Sequence, residues 1–218
     1  MMIDVKNTFV QRKAEIDEYF YFLNSYQPAN ANDNLFKILK SNLLIMLYNL
    51  IESSISNAIE EIHNNIYSNS ISFDSLKREI KSIIISNTKR VNPDKLVLQI
   101  NDIATDIVKH TFKKDELFSG NVDGKKIREI SAKYGFNSDT DYVKTKHGSH
   151  LVTIKDKRND LAHGIFSFTE VGKEYTIQDL EEMKDKTLNY IAEILDNIEY
   201  YLLNKEYICV EEHKNIDK

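Results

Sequence analysis

The chain has 218 residues, 41% hydrophobic and 29% charged, with a formal net charge of -5. That balance is too apolar for a disordered chain and suits one domain with its own core. It excludes a broad electrostatic grip on nucleic acid, leaving only local basic patches, and the single Cys209 excludes an intramolecular disulfide or a cysteine-based zinc site.

The longest apolar run, Leu43 to Leu47, is too short for a bilayer, and the opening Met1-Met2-Ile3-Asp4-Val5-Lys6 lacks the layout of a signal peptide. A cytoplasmic setting without membrane contact is expected. All six glycines fall between Gly120 and Gly172, and the prolines are Pro28 and Pro93. Long stretches therefore hold almost nothing that interrupts a helix.

In chain order, Val5, Phe9, Ile16, Phe20 and Leu23 recur at helical spacing over Asp4 to Asn24, and Gln27 to Asn34 reads as a loop. Phe36, Leu39, Leu43, Leu47, Ile51, Ile55, Ile59, Ile62 and Ile66 then demand one helix of about eight turns, or two pieces on one axis. Ser72 is placed to cap a short helix carrying Phe73, Leu76, Ile80 and Ile83. Asn92-Pro93-Asp94 marks the start of another, with Leu96 to Phe112 on it.

Residues 115–149 read as a loop-rich insertion around one helix, Lys125 to Tyr134, stopped by Gly135. Ser149 is expected to cap the next helix and Gly164 to end it, with Ile165 to Phe168 extended. Thr176 and Asp179 form a capping box for a last helix through Leu202, and 205–218 read as a tail. These elements predict a single all-α domain over 1–218, an antiparallel helical bundle.

One segment carries chemistry: Ser149 to Gly164. At about 100° per residue, Arg158 falls in the middle of the apolar stripe formed by Leu151, Ile154, Leu161 and Ala162. An arginine aimed at a core needs a partner or a purpose, since an unpaired buried charge is costly. Asn159 and His163 share the adjoining face, and His163 occupies the last turn, where free carbonyls attract a cation. The plain structural alternatives are an ion pair of Arg158 with Glu52, a helix-ending role for His163, and a surface amide for Asn159.

Residues 143–164 also hold Lys144, Lys146, Lys155, Lys157 and Arg158 against Asp156 and Asp160, together with His147, His150 and His163. Such a basic island in an acidic chain suits a phosphate backbone, and a solvated face is its plain alternative. Lys109, Lys113, Lys114, Lys125, Lys126 and Arg128 would extend it. His147 and His150 are too loosely spaced, with no thiol to assist, for a metal pair. Cys209 has no fixed histidine partner.

Arg158-Asn159-Asp160-Leu161-Ala162-His163 resembles the signature of the HEPN superfamily: an arginine, a short spacer beginning with a polar residue, and a histidine. The longer string through Gly164 looks like the MAE-type HEPN-like nucleases of bacterial defence and toxin systems. So do Leu47-Tyr48-Asn49-Leu50-Ile51-Glu52, Ser119-Gly120-Asn121-Val122-Asp123 and Phe168-Thr169-Glu170-Val171-Gly172. The resemblance implies a helical bundle, metal-independent RNA cleavage without a cofactor, and a homodimer that pairs two motifs.

On that resemblance Arg158, Asn159 and His163 are the expected catalytic residues. Lys144, Lys146, His147, His150, Lys155 and Lys157 would hold RNA, with Glu52 and Asp160 in support. A cognate antitoxin or defence-system protein is a further expected partner. The alternative is a HEPN module that binds RNA or protein without cutting.

Overall fold

The structure, a computed structural model, describes residues 2–30, 32–88 and 121–209. The helix expected from Asn92 onward, together with Lys109, Lys113 and Lys114, lies outside the described residues. Helix α1 (Ile3–Ser25) is followed by α2 (Asn34–Ser68), one unbroken helix of 35 residues. At 1.5 Å per residue α2 is about 52 Å long. Asp33 caps it by accepting the N–H of Phe36 at 3.0 Å.

Cross-helix contacts fix the directions. Lys6 pairs with Asp196, and Asp17 with Lys184, so α1 runs antiparallel to the last helix, α8 (Ile177–Leu203). Arg12 donates to the Asn49 carbonyl and Tyr19 to that of Leu39, so α1 is antiparallel to α2 as well. It follows that α2 and α8 run in the same direction. Lys40 reaching the Tyr175 carbonyl near one end, and Tyr207 reaching Asn65 near the other, agree with this. The core lies between these three helices, with Leu43, Leu47, Ile51, Ile59, Ile191, Ile194 and Ile198 fully enclosed.

The middle of the chain is more integrated than its glycines and polar residues predict. Ser72 caps only a 3₁₀ turn, Phe73–Ser75, and α3 (Arg78–Thr88) starts separately. Helix α4 (Gly124–Tyr134) ends at Gly135 in the left-handed conformation, φ 84°, where glycine meets no Cβ penalty. Val122, Ile127, Ile130, Tyr134 and Phe136 are all buried. This segment is a wall of the core, laid along α2 from Tyr48 to His63. Then follow α5 (Tyr142–Thr145), a 3₁₀ turn (Lys146–Gly148) and α6 (His150–Ala162).

Two other expectations are corrected. Ile165 to Phe168 is not an extended segment throughout: Phe168 opens α7 (Phe168–Gly172), whose capping box joins Ser167 and Glu170. Helix α7 lies backbone to backbone on α2, since a Cβ at Gly172 would stand 1.8 Å from the Lys37 carbonyl oxygen. The start of the expected tail is also structured. Tyr207 is buried, and Tyr207 to Cys209 clasp Ser75 to Lys77 through two backbone hydrogen bonds of 2.8 Å. No helix among the described residues is long and apolar enough to cross a membrane.

Candidate active site at the end of helix α6

Leu151, Ile154 and Leu161 bury one face of α6 against the bundle, while Ala162, expected on that stripe, is exposed at the helix end. Arg158 does lean toward the core, but it meets a built seat there. Its guanidinium lies over the Tyr48 ring, 4.3 Å from the centroid. Its Nη1 donates to Asn159 Oδ1 at 2.9 Å. Glu52 Oε2 stands 3.7 Å from Nη2, an ion pair too long for a hydrogen bond.

With side-chain exposures of 25% for Arg158 and 27% for Glu52, both groups still reach water. The ring face gives the guanidinium a cation–π contact, and a partly hydrated ion pair of this length adds little. Arg158 is thus oriented while still reaching water.

A second layer fixes that seat. Asn159 Nδ2 donates to Asn121 Oδ1 at 3.0 Å, so the amide spends its oxygen on Arg158 and its nitrogen on Asn121. Its side chain therefore serves Arg158, and its link to His163 is through the backbone: the Asn159 carbonyl accepts the His163 N–H at 2.9 Å. The N–H of Val122 donates to the Tyr48 hydroxyl at 3.4 Å. Burial raises the pKa of that hydroxyl, keeping the ring under Arg158 neutral. Asp123 caps α4 through the N–H of Lys126 and holds Lys155 at 2.8 Å. Burial, the largest single influence, raises the pKa of the Asp123 carboxyl, but the Lys155 ammonium and the backbone hydrogen bonds together outweigh it and hold the group below the usual range.

The helix ends in a Schellman turn. Gly164 adopts φ 67°, its N–H bonds the Leu161 carbonyl at 3.2 Å, and the N–H of Ile165 bonds the Asp160 carbonyl at 2.9 Å. Asp160 supports the site through that carbonyl. His163 is the residue before the turn, exposed on the same helix end as Arg158.

The expected RNA-binding residues divide. Lys155 is held by Asp123 and Lys157 by Glu174 at 2.7 Å, with the Lys157 ammonium also 5.6 Å from the Phe166 ring centroid. Lys144, Lys146, His147 and His150 gather at the opposite end of α6. There Lys144 lies 3.9 Å from Asp141, Lys146 pairs with Glu182, and His147 contacts Thr140 and Tyr142. His150 is half-buried, and desolvation lowers its pKa. Among the described residues no group of three or more His, Cys, Asp or Glu is placed to hold a metal.

Spacing does not single out Tyr48 or Asn121. Both stand inside strings that carry the family resemblance, which is the available signal. Those strings meet here in space: Tyr48 and Glu52 hold Arg158, Asn121 holds Asn159, and Gly172 docks α7 on α2. No match was found among curated proteins or solved structures. The family model described as MAE_28990-like HEPN matches residues 2–207, nearly the whole chain and all of the site above. The chain therefore belongs to the HEPN superfamily, in its MAE_28990-like branch.

Proposed function

We propose that this protein is a metal-independent endoribonuclease that cuts RNA by attack of the ribose 2′-hydroxyl on the adjacent phosphorus. Family membership supports an RNA-related function. The observation that carries the proposal is Arg158, oriented by Tyr48 and Asn159 on the helix end that presents His163.

In the first half of the step, an imidazole takes the 2′-hydroxyl proton as O2′ bonds to phosphorus. In the second, the P–O5′ bond breaks and O5′ takes a proton from an imidazolium. Arg158, whose fork matches two phosphate oxygens and stays protonated, stabilises the charge that builds on the phosphorane. The products are a 2′,3′-cyclic phosphate and a 5′-hydroxyl.

One chain brings one His163, so base and acid come from two copies in a symmetric homodimer. Ile165, Phe166 and Phe168, exposed apolar residues immediately after Gly164, offer that dimer a surface beside the histidine. A bacterial toxin, abortive-infection or restriction-linked system, with a cognate antitoxin or partner to restrain it, is the setting proposed. The cell compartment is proposed to be the cytoplasm.

A second reading, a HEPN module that binds RNA or protein without cutting, draws on the ion pairs of Lys146, Lys155 and Lys157, which already occupy much of the basic island. Incubating total cellular RNA with wild type and His163→Ala in EDTA separates the two. Cyclic phosphate ends from the wild type alone are expected. A requirement for Mg²⁺, or 3′-hydroxyl ends, defeats the mechanism.

A further inference from the structure

The other end of α6 opens on a cavity of about 620 Å³. Lys125 and Arg128 of α4, Lys146 and His147 of the 3₁₀ turn, and Tyr190 of α8 line it. Spacing alone does not place Lys125 or Arg128 beside Lys146, since 18 or more residues separate them in the chain.

Several features of its floor point to an anion. No side chain caps α6: Ser149 has helical dihedrals and makes no cap hydrogen bond. The first-turn N–H groups of a helix carry partial positive charge that draws in phosphate. Gly148, at φ 70°, is pressed onto Tyr190, where a Cβ would stand 2.8 Å from the ring. Tyr190 is 1% exposed, and the Arg128 guanidinium beside its hydroxyl can donate but not accept, which leaves the hydroxyl's own proton without an acceptor. A buried donor left without an acceptor is unfavourable, and phenylalanine would fill the same volume without it.

Charge at the rim is positive after internal pairing. Arg128 donates to the His147 carbonyl at 3.3 Å and is exposed, as is Lys125. Lys146 is paired with Glu182. Of the two carboxylates lining the cavity, Asp123 is held by Lys155, which leaves Asp139.

Register links this cavity to the first site. Val152, which lines the cavity, shares one helical stripe with Asp156, Asn159 and His163. Asp156, the acid on that stripe, shares Lys155 with Asp123 at the longer distance of 3.3 Å, so one negative charge of the three groups stays beside the path. From Val152 to His163 the stripe is about 16 Å long, the length of roughly five nucleotides at the ~3.4 Å charge spacing of a stacked strand.

We infer that this cavity is a second phosphate-binding subsite, which holds the RNA strand several nucleotides from the linkage at Arg158 and His163. The subsite rests on the function proposed above and adds to it a minimum substrate length.

The test uses the full chain and uncleavable 2′-O-methyl oligonucleotides of three and eight residues, with binding followed by fluorescence anisotropy. The pair Lys125→Ala with Arg128→Ala should weaken eight-residue binding about tenfold and leave the trinucleotide unchanged. The slope of log K against log salt should shrink by about 0.7 for each phosphate that the variant no longer holds. Tyr190→Phe should melt no lower than wild type, yet bind the longer oligonucleotide about threefold more weakly.

Wild-type binding with variants that stay within about twofold on the longer oligonucleotide sinks the subsite alone. So does an equal loss for both lengths. A wild type that binds neither oligonucleotide overturns the proposed function, and the subsite with it.

Discussion

Two histidines one hundred positions apart show how surroundings decide what an imidazole can do. His63, on α2, is 4% exposed, and its Nε2 lies 2.9 Å from the Tyr134 hydroxyl, with the two rings edge to face. Burial drives its pKa down to about 3 and pushes that of Tyr134 up. Near neutral pH this pair is a neutral hydrogen bond that ties α2 to α4. His163 stands exposed where α6 stops, on the helix end where Arg158 has its seat. A proton-transfer group must be reachable by its substrate and able to change charge near working pH. His63 meets neither condition, whereas His163 can be reached.

The largest expected effect follows from removing the exposed member. His163→Ala should lower RNA cleavage by about 10²- to 10⁴-fold, the usual worth of a positioned acid or base. Its urea midpoint should stay put, because exposed substitutions change stability by about 0.5 kcal/mol or less. His63→Ala should do the reverse. It leaves a hole and an unpaired Tyr134 hydroxyl, for about 2–4 kcal/mol of lost stability, with little change in rate per folded molecule. Equal effects of the two variants on rate and midpoint would erase the distinction.

A pH series sharpens the same contrast. The folded pKa of His63 is about 3 against an ordinary 6.5, so between those values the unfolded chain binds a proton that the folded chain does not. Stability should therefore be fully present above pH 6.5 and fall as pH drops toward 3. The slope from this residue alone is at most about 1.4 kcal/mol per pH unit. Urea unfolding from pH 7 to pH 4 on wild type and His63→Ala measures it. Parallel curves would show that His63 does not carry the acid sensitivity.

How far this division can be read in the letters depends on the range of the interaction. Gly135, Gly164 and the Thr176–Asp179 box act within a turn or two, and each sits where the pattern puts it. The Ser167–Glu170 box is equally local, yet Ile165-Phe166-Ser167-Phe168 is rich in β-branched and aromatic residues and mimics a strand. Longer-range contacts leave no periodic trace. Tyr48 looks like any core aromatic until Arg158 is laid on it, and Asn121 looks like a loop residue until Asn159 reaches it across 38 positions. Neighbouring glycines and polar residues hide Val122, Tyr134 and Phe136, so a core wall reads as an insertion. The Arg158–Glu52 pair is legible from the letters, but its 3.7 Å separation, with the guanidinium still in reach of water, is a matter of geometry.

The amide relay behind Arg158 should give a smaller effect than His163 itself. Asn159→Ala removes the acceptor on one side of the guanidinium, and Asn121→Ala removes the acceptor on the far side of Asn159. Each should slow cleavage by about tenfold or less, the order of one hydrogen bond. Because the two amides act in series, the double variant should be little worse than Asn159→Ala. The expected coupling is about 0.5–1.5 kcal/mol in a double-mutant cycle on the rate. Additive losses would mean that Asn121 acts elsewhere.

The mildest intervention bears on how His163 is presented. Gly164 holds φ 67°, and a Cβ built there meets nothing within 4 Å, so Gly164→Ala introduces backbone strain and no clash. A non-glycine residue in the left-handed region costs about 1 kcal/mol, and asparagine bears it better than alanine. If the Schellman turn survives, the urea midpoint should fall for alanine and partly recover for asparagine, while the cleavage rate stays within about threefold of wild type. If the rate instead drops as far as in His163→Ala while the protein remains folded, the turn has yielded. The carbonyl-capped end of α6 would then be what aims the imidazole.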